Sequence, residues 1–167
     1  MMDAVEQVYE SAKADIGTRH VTHLGVVTAA HFQSFAYAVG DENPLYLDRA
    51  AAAAVGYSDV IAPPVFLTAV VGWSPGPSER VLRPDGAEVA EVGDVHLDGL
   101  RLMGAGQELE FHSDIVPGLD ITMEVTVEDI TLKRGASGTL MFVSLLRRYH
   151  DAADRLLVTC RETFIAR

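Results

Sequence analysis

The chain has 167 residues, enough for one domain with a substantial core, and 49% of them are apolar, as in an ordinary globular protein. Its formal net charge of −11 and sequence pI near 4.8 argue against nucleic acid and against an anionic membrane surface, because both select basic faces. The single cysteine, Cys160, excludes an intrachain disulfide framework and reads as a small buried residue on a strand.

Residues 1–16 are acidic and polar and carry no apolar signal-peptide core. The longest apolar stretch, 65–73, falls well short of the roughly 20 residues that cross a bilayer. A cytoplasmic location is expected. A short helix is expected over 2–14, with Val5, Val8 and Tyr9 on one face. His20 and His23 lie on one extended stretch and raise the question of a metal, but no third ligand is near. No metal and no cofactor is expected.

Thr28 can cap a helix over 29–39, in which Phe32, Phe35, Ala36 and Val39 form one stripe and Gly40 supplies the stop. An acid and an amide, Asp41 and Asn43, then enter a tight turn closed by Pro44. Asp48 can cap an alanine-rich helix over 49–55, stopped by Gly56. Pro63 and Pro64 open a further helix, where a missing N–H costs little. That helix, 65–73, is apolar nearly all round and is expected to be the buried central one. Residues 74–99 are rich in Gly, Pro and charge without periodicity, and read as a flap or partner-contact loop.

From Leu100 the pattern changes to period two. Strands are expected over 107–115, 121–128, 140–149 and 156–165, with turns at 117–120, 133–138 and 151–154. Gly104 and Gly106 read as a strand bend, and His96 and His112 as surface or strand residues. His31 can face either way. Arg147–Arg148 or Lys133–Arg134 could face a small anion. Helices first and strands second give an α+β class, an antiparallel sheet covering one buried helix. The whole chain, 1–167, is expected to be one domain, with 1–25 as a lead-in.

The stretch Gly40-Asp41-Glu42-Asn43-Pro44-Leu45, followed by a small-residue helix and a buried helix, resembles the MaoC family of R-specific enoyl-thioester hydratases and dehydratases. That family has the hot-dog fold, an antiparallel sheet wrapped around a central helix. Gly40, Asp41, Asn43, Pro44 and Leu45 match its motif, Tyr46 stands at the position of its histidine, and Ala62-Pro63-Pro64 replaces its Ala-His-Gly. Both departures, with the runs 104–112 and 135–138, resemble the N-terminal-domain branch, which includes non-catalytic subunits of heteromeric dehydratases. The resemblance implies Asp41 and Asn43 as catalytic positions, and Tyr46, Pro64, Val65 and Phe66 as the acyl-thioester pocket. It implies an acyl-CoA or acyl-carrier thioester as ligand, and a homologous chain or a second copy as partner. Asp41 and Asn43 as plain turn residues, and Tyr46 as a packing residue, remain the alternative. So do a self-sufficient hydratase using Asp41, a non-catalytic acyl-CoA-binding protein and a thioesterase.

Overall fold

A computed structural model of the chain describes residues 3–69, 78–82, 86, 95–97, 99–135 and 138–167. Each helix near the N-terminus begins at a side-chain cap. In α1 (Ala4–Ala12), Asp3 accepts from the Glu6 N–H at 2.8 Å, and the Glu6 carboxylate accepts from the Asp3 N–H in return. Thr28 and His31 make the same reciprocal pair for α2 (Ala29–Val39), so His31 is a capping residue. Gly40 ends α2 in the left-handed region at φ 73°. Asn43 caps α3 (Pro44–Leu47), a single turn that the sequence reading did not separate, and Asp48 caps α4 (Arg49–Ala54).

The five strands are β1 (Arg19–Val26), β2 (Leu102–Phe111), β3 (Asp120–Gly135), β4 (Gly138–Asp151) and β5 (Leu156–Ala166). They form one antiparallel sheet in the order β1-β3-β4-β5-β2. Residues 3–26 are therefore more than a lead-in. The strand β1 edges the sheet against β3, and Val5 and Ala12 of α1 join the core. His20 and His23 are three apart and alternate across β1, so they face opposite sides of the sheet. His23 instead meets Asp120 at 2.6 Å.

The strands outrun their sequence estimates. Lys133 and Arg134 belong to β3, because the β3–β4 register runs out to Gly135 opposite Gly138. The strand expected over 107–115 occupies Leu102–Phe111, because Gly104 and Gly106 form a bulge inside it and His112 and Ser113 both turn their N–H to the Leu157 carbonyl. Every second residue of β3 and β4 faces the core: Met123, Val125 and Val127 on one strand, and Met141, Val143, Leu145 and Tyr149 on the other.

Helix α5 (Phe66–Ala69) follows the double proline, starting from a turn in which the Phe66 N–H meets the Pro63 carbonyl at 3.0 Å. Phe66 and Leu67 are buried whereas Val65 is 39% exposed, so this part of the helix buries one side rather than all. Val70, Val71 and Trp73 lie outside the described residues, as does much of 74–99. The described end of that segment is anchored. Val95 and Leu97 are buried in the core, and the His96 N–H reaches Asp15.

The expected cationic clusters do not form, because neighbours on a strand face opposite ways. Arg147 turns inward to Glu162 at 2.9 Å, while Arg148 turns outward to Glu124 at 3.3 Å. Arg134 pairs with Glu6, and Lys133 lies over the Phe142 ring. Among the described residues, no helix is long and apolar enough to cross a membrane.

Candidate functional site

The site is built on the chain reversal between α2 and α3. Gly40 takes a conformation open to it at little cost, and the Asp41 N–H bonds back to the Ala36 carbonyl at 2.9 Å. This leaves Asp41 exposed at the helix end. Two residues on, the Asn43 carboxamide oxygen accepts the Leu45 N–H at 3.0 Å, and Pro44 fills the first helical position. Asn43 therefore builds the turn.

One helical turn beyond the cap, Tyr46 is 6% exposed. Burial pushes its phenol above the ordinary value, and Asp41 and Tyr57 add to the rise, against an opposing hydrogen bond with the Asn43 side chain. Asp41, Asn43 and Tyr46 thus share one neighbourhood. The other expected pocket residues lie on the segment that follows α4. The Phe66 ring is 1% exposed and packs edge-on to Phe32 and Phe35, with centroids 5.0 and 5.7 Å away. Pro64 is surface-facing and lines a cleft, with Val65 exposed beside it.

That cleft, about 360 Å³, runs between residues 61–64 and residues 111–115. Two backbone hydrogen bonds fix its near wall. The Ile61 N–H meets the Leu45 carbonyl at 3.0 Å, and the Ala62 N–H meets the Ile115 carbonyl at 2.9 Å. The strap 61–62 therefore separates the cleft from α3 and ties the two together. Upstream, Arg49 grips Asp59 with two bonds of 2.9 and 2.8 Å, and the same carboxylate caps the Val60 N–H. The Arg49 guanidinium is the main cause that holds the Asp59 carboxyl below its ordinary value.

A second, polar cavity of about 380 Å³ adjoins the cleft and shares Ser113 and Asp114 with it. Tyr57, Ser58 and Arg155 also line this cavity. No local sequence signal marks Tyr57, because its partners lie far along the chain. His112, on the cleft wall, meets the Thr159 hydroxyl at 2.9 Å. Cys160 is buried, and its thiol is pushed up to about 11 by burial first and Glu162 second. Among the described residues, no three His, Cys, Asp or Glu side chains come together to hold a metal.

Residues 14–160 match the family described as "FAS1-like, dehydratase domain region". A UPF0336 protein of Streptomyces avermitilis is 32% identical over 135 residues, 81% of this chain and 80% of that protein. A "probable enoyl-CoA hydratase alpha subunit" of Thermomonospora curvata is 32% identical over 129 residues, 74% of this chain and 40% of that protein. In structure, the chain resembles the ChsH1-ChsH2 complex of Mycobacterium tuberculosis, with a TM-score of 0.69 at 20% identity, over 96% of this chain and 89% of that one. The fold is the hot-dog fold seen in such proteins. By the extent of the family match and the identity to its relatives, the chain belongs to the FAS1-like dehydratase-region family.

Proposed function

We propose that this chain is the pocket-forming subunit of an R-specific 2-enoyl-thioester hydratase, or of the reverse 3-hydroxyacyl-thioester dehydratase, and works beside a homologous chain that carries the catalytic histidine. Adding water to a 2-enoyl thioester needs a base for the water, a proton for the α-carbon and a donor for the thioester oxygen. The observation that carries the proposal is Tyr46. It stands where the resemblance puts a histidine, it is buried, and burial raises a phenol whose ordinary pKa is already about 10. Such a group stays protonated at neutral pH and abstracts no proton from water. Pro63 and Pro64 have no N–H to offer, so the first donor beyond them is the Val65 amide.

The relative named as an alpha subunit and the two-component complex among the structural neighbours support a paired assembly. In this reading residues 1–167 act as one hot-dog domain, and the substrate is an acyl-CoA or acyl-carrier thioester. The test is hydration of crotonyl-CoA and of a bulky 2-enoyl-CoA by the purified chain alone, then by the chain co-expressed with a MaoC-like homologue encoded beside it. Turnover confined to the pair is the expected result. Equal turnover by the chain alone rejects the subunit role.

A second reading has one observation in its favour. Asp41 is exposed beside Asn43 and Tyr46, and in this reading its carboxylate activates water without a histidine. Under that reading the chain alone is active, and Asp41→Ala abolishes the activity.

A further inference from the structure

The outward face of the sheet carries an apolar row, at the end of β2 opposite to Phe111. Strand alternation puts Ile130, Met141, Phe164 and Leu102 on the core side, so the residues between them face outward. The register then lines up Thr131, Phe142, Ile165 and Met103 across β3, β4, β5 and β2. The last three are apolar, with Phe142 and Ile165 half-buried and Met103 42% exposed.

The next row is basic. Lys133 stands opposite Leu140, and its ammonium lies 4.5 Å from the Phe142 ring centroid. Just beyond β2 and β5, Arg101 and Arg167 face each other through reciprocal backbone bonds of 2.8 and 3.1 Å. Arg101 sits between Leu100 and Leu102, which pack on the core, so it points outward. Like charges directly opposite on one face destabilise a sheet. Among the described residues, no carboxylate pairs with Arg101, Arg167 or Lys133, whereas the inward-facing Arg134 has Glu6. A chain of net charge −11 thus leaves an uncompensated cationic row beside an apolar one. On the other side of the apolar row stand Asp129, Ser144 and Thr163.

We propose that this corner of the outward face docks an acidic amphipathic helix of a partner protein, laid across the strands. Three apolar side chains on neighbouring strands span two interstrand spacings, about 10 Å. Apolar residues at i, i+3 or i+4, and i+7 of a helix span about the same length, at about 1.5 Å per residue. Carboxylates along one flank of that helix meet Arg101, Arg167 and Lys133, and a guanidinium fork takes a carboxylate through two N–H donors. Asp129 repels an acid on the opposite flank and so fixes which way the helix is turned. An anionic bilayer is disfavoured, because the net charge of −11 opposes the approach of the whole molecule. The inference does not use the thioester reading.

The test is fluorescence anisotropy of a labelled synthetic helix of about four turns, titrated with the purified chain. The probe has leucines at i, i+4 and i+7, glutamates along one flank and alanine elsewhere. Binding is expected with a Kd below about 1 mM, and about tenfold or more weaker for the same helix with lysine in place of glutamate. Raising salt from about 0.05 M to about 0.5 M is expected to weaken it about fivefold or more. The double variant Arg101→Glu, Lys133→Glu is expected to lose about tenfold or more in affinity, and Met103→Ala about threefold. All three positions are exposed, so the variants are compared at a Tm matching the parent's. No binding at about 1 mM, equal binding of the two helices, or unchanged binding in the double variant overturns the proposal. So does self-association of the chain that the double variant abolishes, which makes the face an interface between copies. Tighter binding to phosphatidylglycerol vesicles than to the acidic helix also overturns it, and assigns the face to lipid.

Discussion

The Asn43 side chain accepts the Leu45 N–H and so starts the single turn of α3 on which the next residue, Tyr46, is buried. One carboxamide thus starts the turn that carries the buried ring. If Tyr46 only packs and shapes, Tyr46→Phe leaves hydration by the co-expressed pair within about threefold, because proton-transfer groups contribute about 10²–10⁴-fold. Its stability, read from urea denaturation, is expected to change by no more than about 1.5 kcal/mol. A fall of a hundredfold or so would make Tyr46 a catalytic group.

Gly40 has φ 73° and open space where a Cβ would stand. The cost of Gly40→Ala is therefore conformational rather than steric, about 1–2 kcal/mol by denaturation. Because the Asp41 N–H bonds across this residue to Ala36, the same change is expected to displace Asp41 and reduce activity of the pair more than Gly56→Ala does. Gly56 also has a positive φ, 99°, and serves as the matched control.

Arg49 holds the Asp59 carboxyl below its ordinary value, and the Arg155 backbone and side chain help do the same for Asp151. A folded value below the unfolded one adds stability that is complete above the unfolded value, about pH 4, and is lost as pH falls through the folded one. Thermal melts from neutral to acid are expected to drop below about pH 4, with a shallower drop in Asp59→Asn. An identical slope in the variant would show that the Arg49 pair is not linked to folding.

Cys160 is buried and its thiol is raised to about 11. At pH 8 only about one thiol in a thousand is ionised, and the thiolate is the reactive form. Ellman's reagent is expected to leave the native chain unmodified over minutes and to label one thiol at once in denaturant. Rapid native labelling would contradict the burial.

Short-range features were legible from the sequence because their partners lie within a few residues. Thr28 meets its capping target three residues on, Gly40 terminates the helix it follows, and the alternation of Ile121, Met123, Val125 and Val127 marks the inward face of β3. The same locality made Asp41 and Asn43 recognisable as one turn, and it supports the family assignment as well. It could not separate Lys133 and Arg134 from a turn, because only pairing with β4 keeps them extended.

The sequence by itself determined the helices around 29–39 and 49–55, the run of strands after residue 100 and the motif that joins Gly40 to Leu45. Only the tertiary structure decided that β2 crosses over to pair with β5, that Arg147 turns inward to Glu162, and that residues 61–64 close against 111–115. Each of these joins groups far apart along the chain. Such contacts depend on sheet register and on burial shared by many side chains, and neither leaves a mark on the residues nearby.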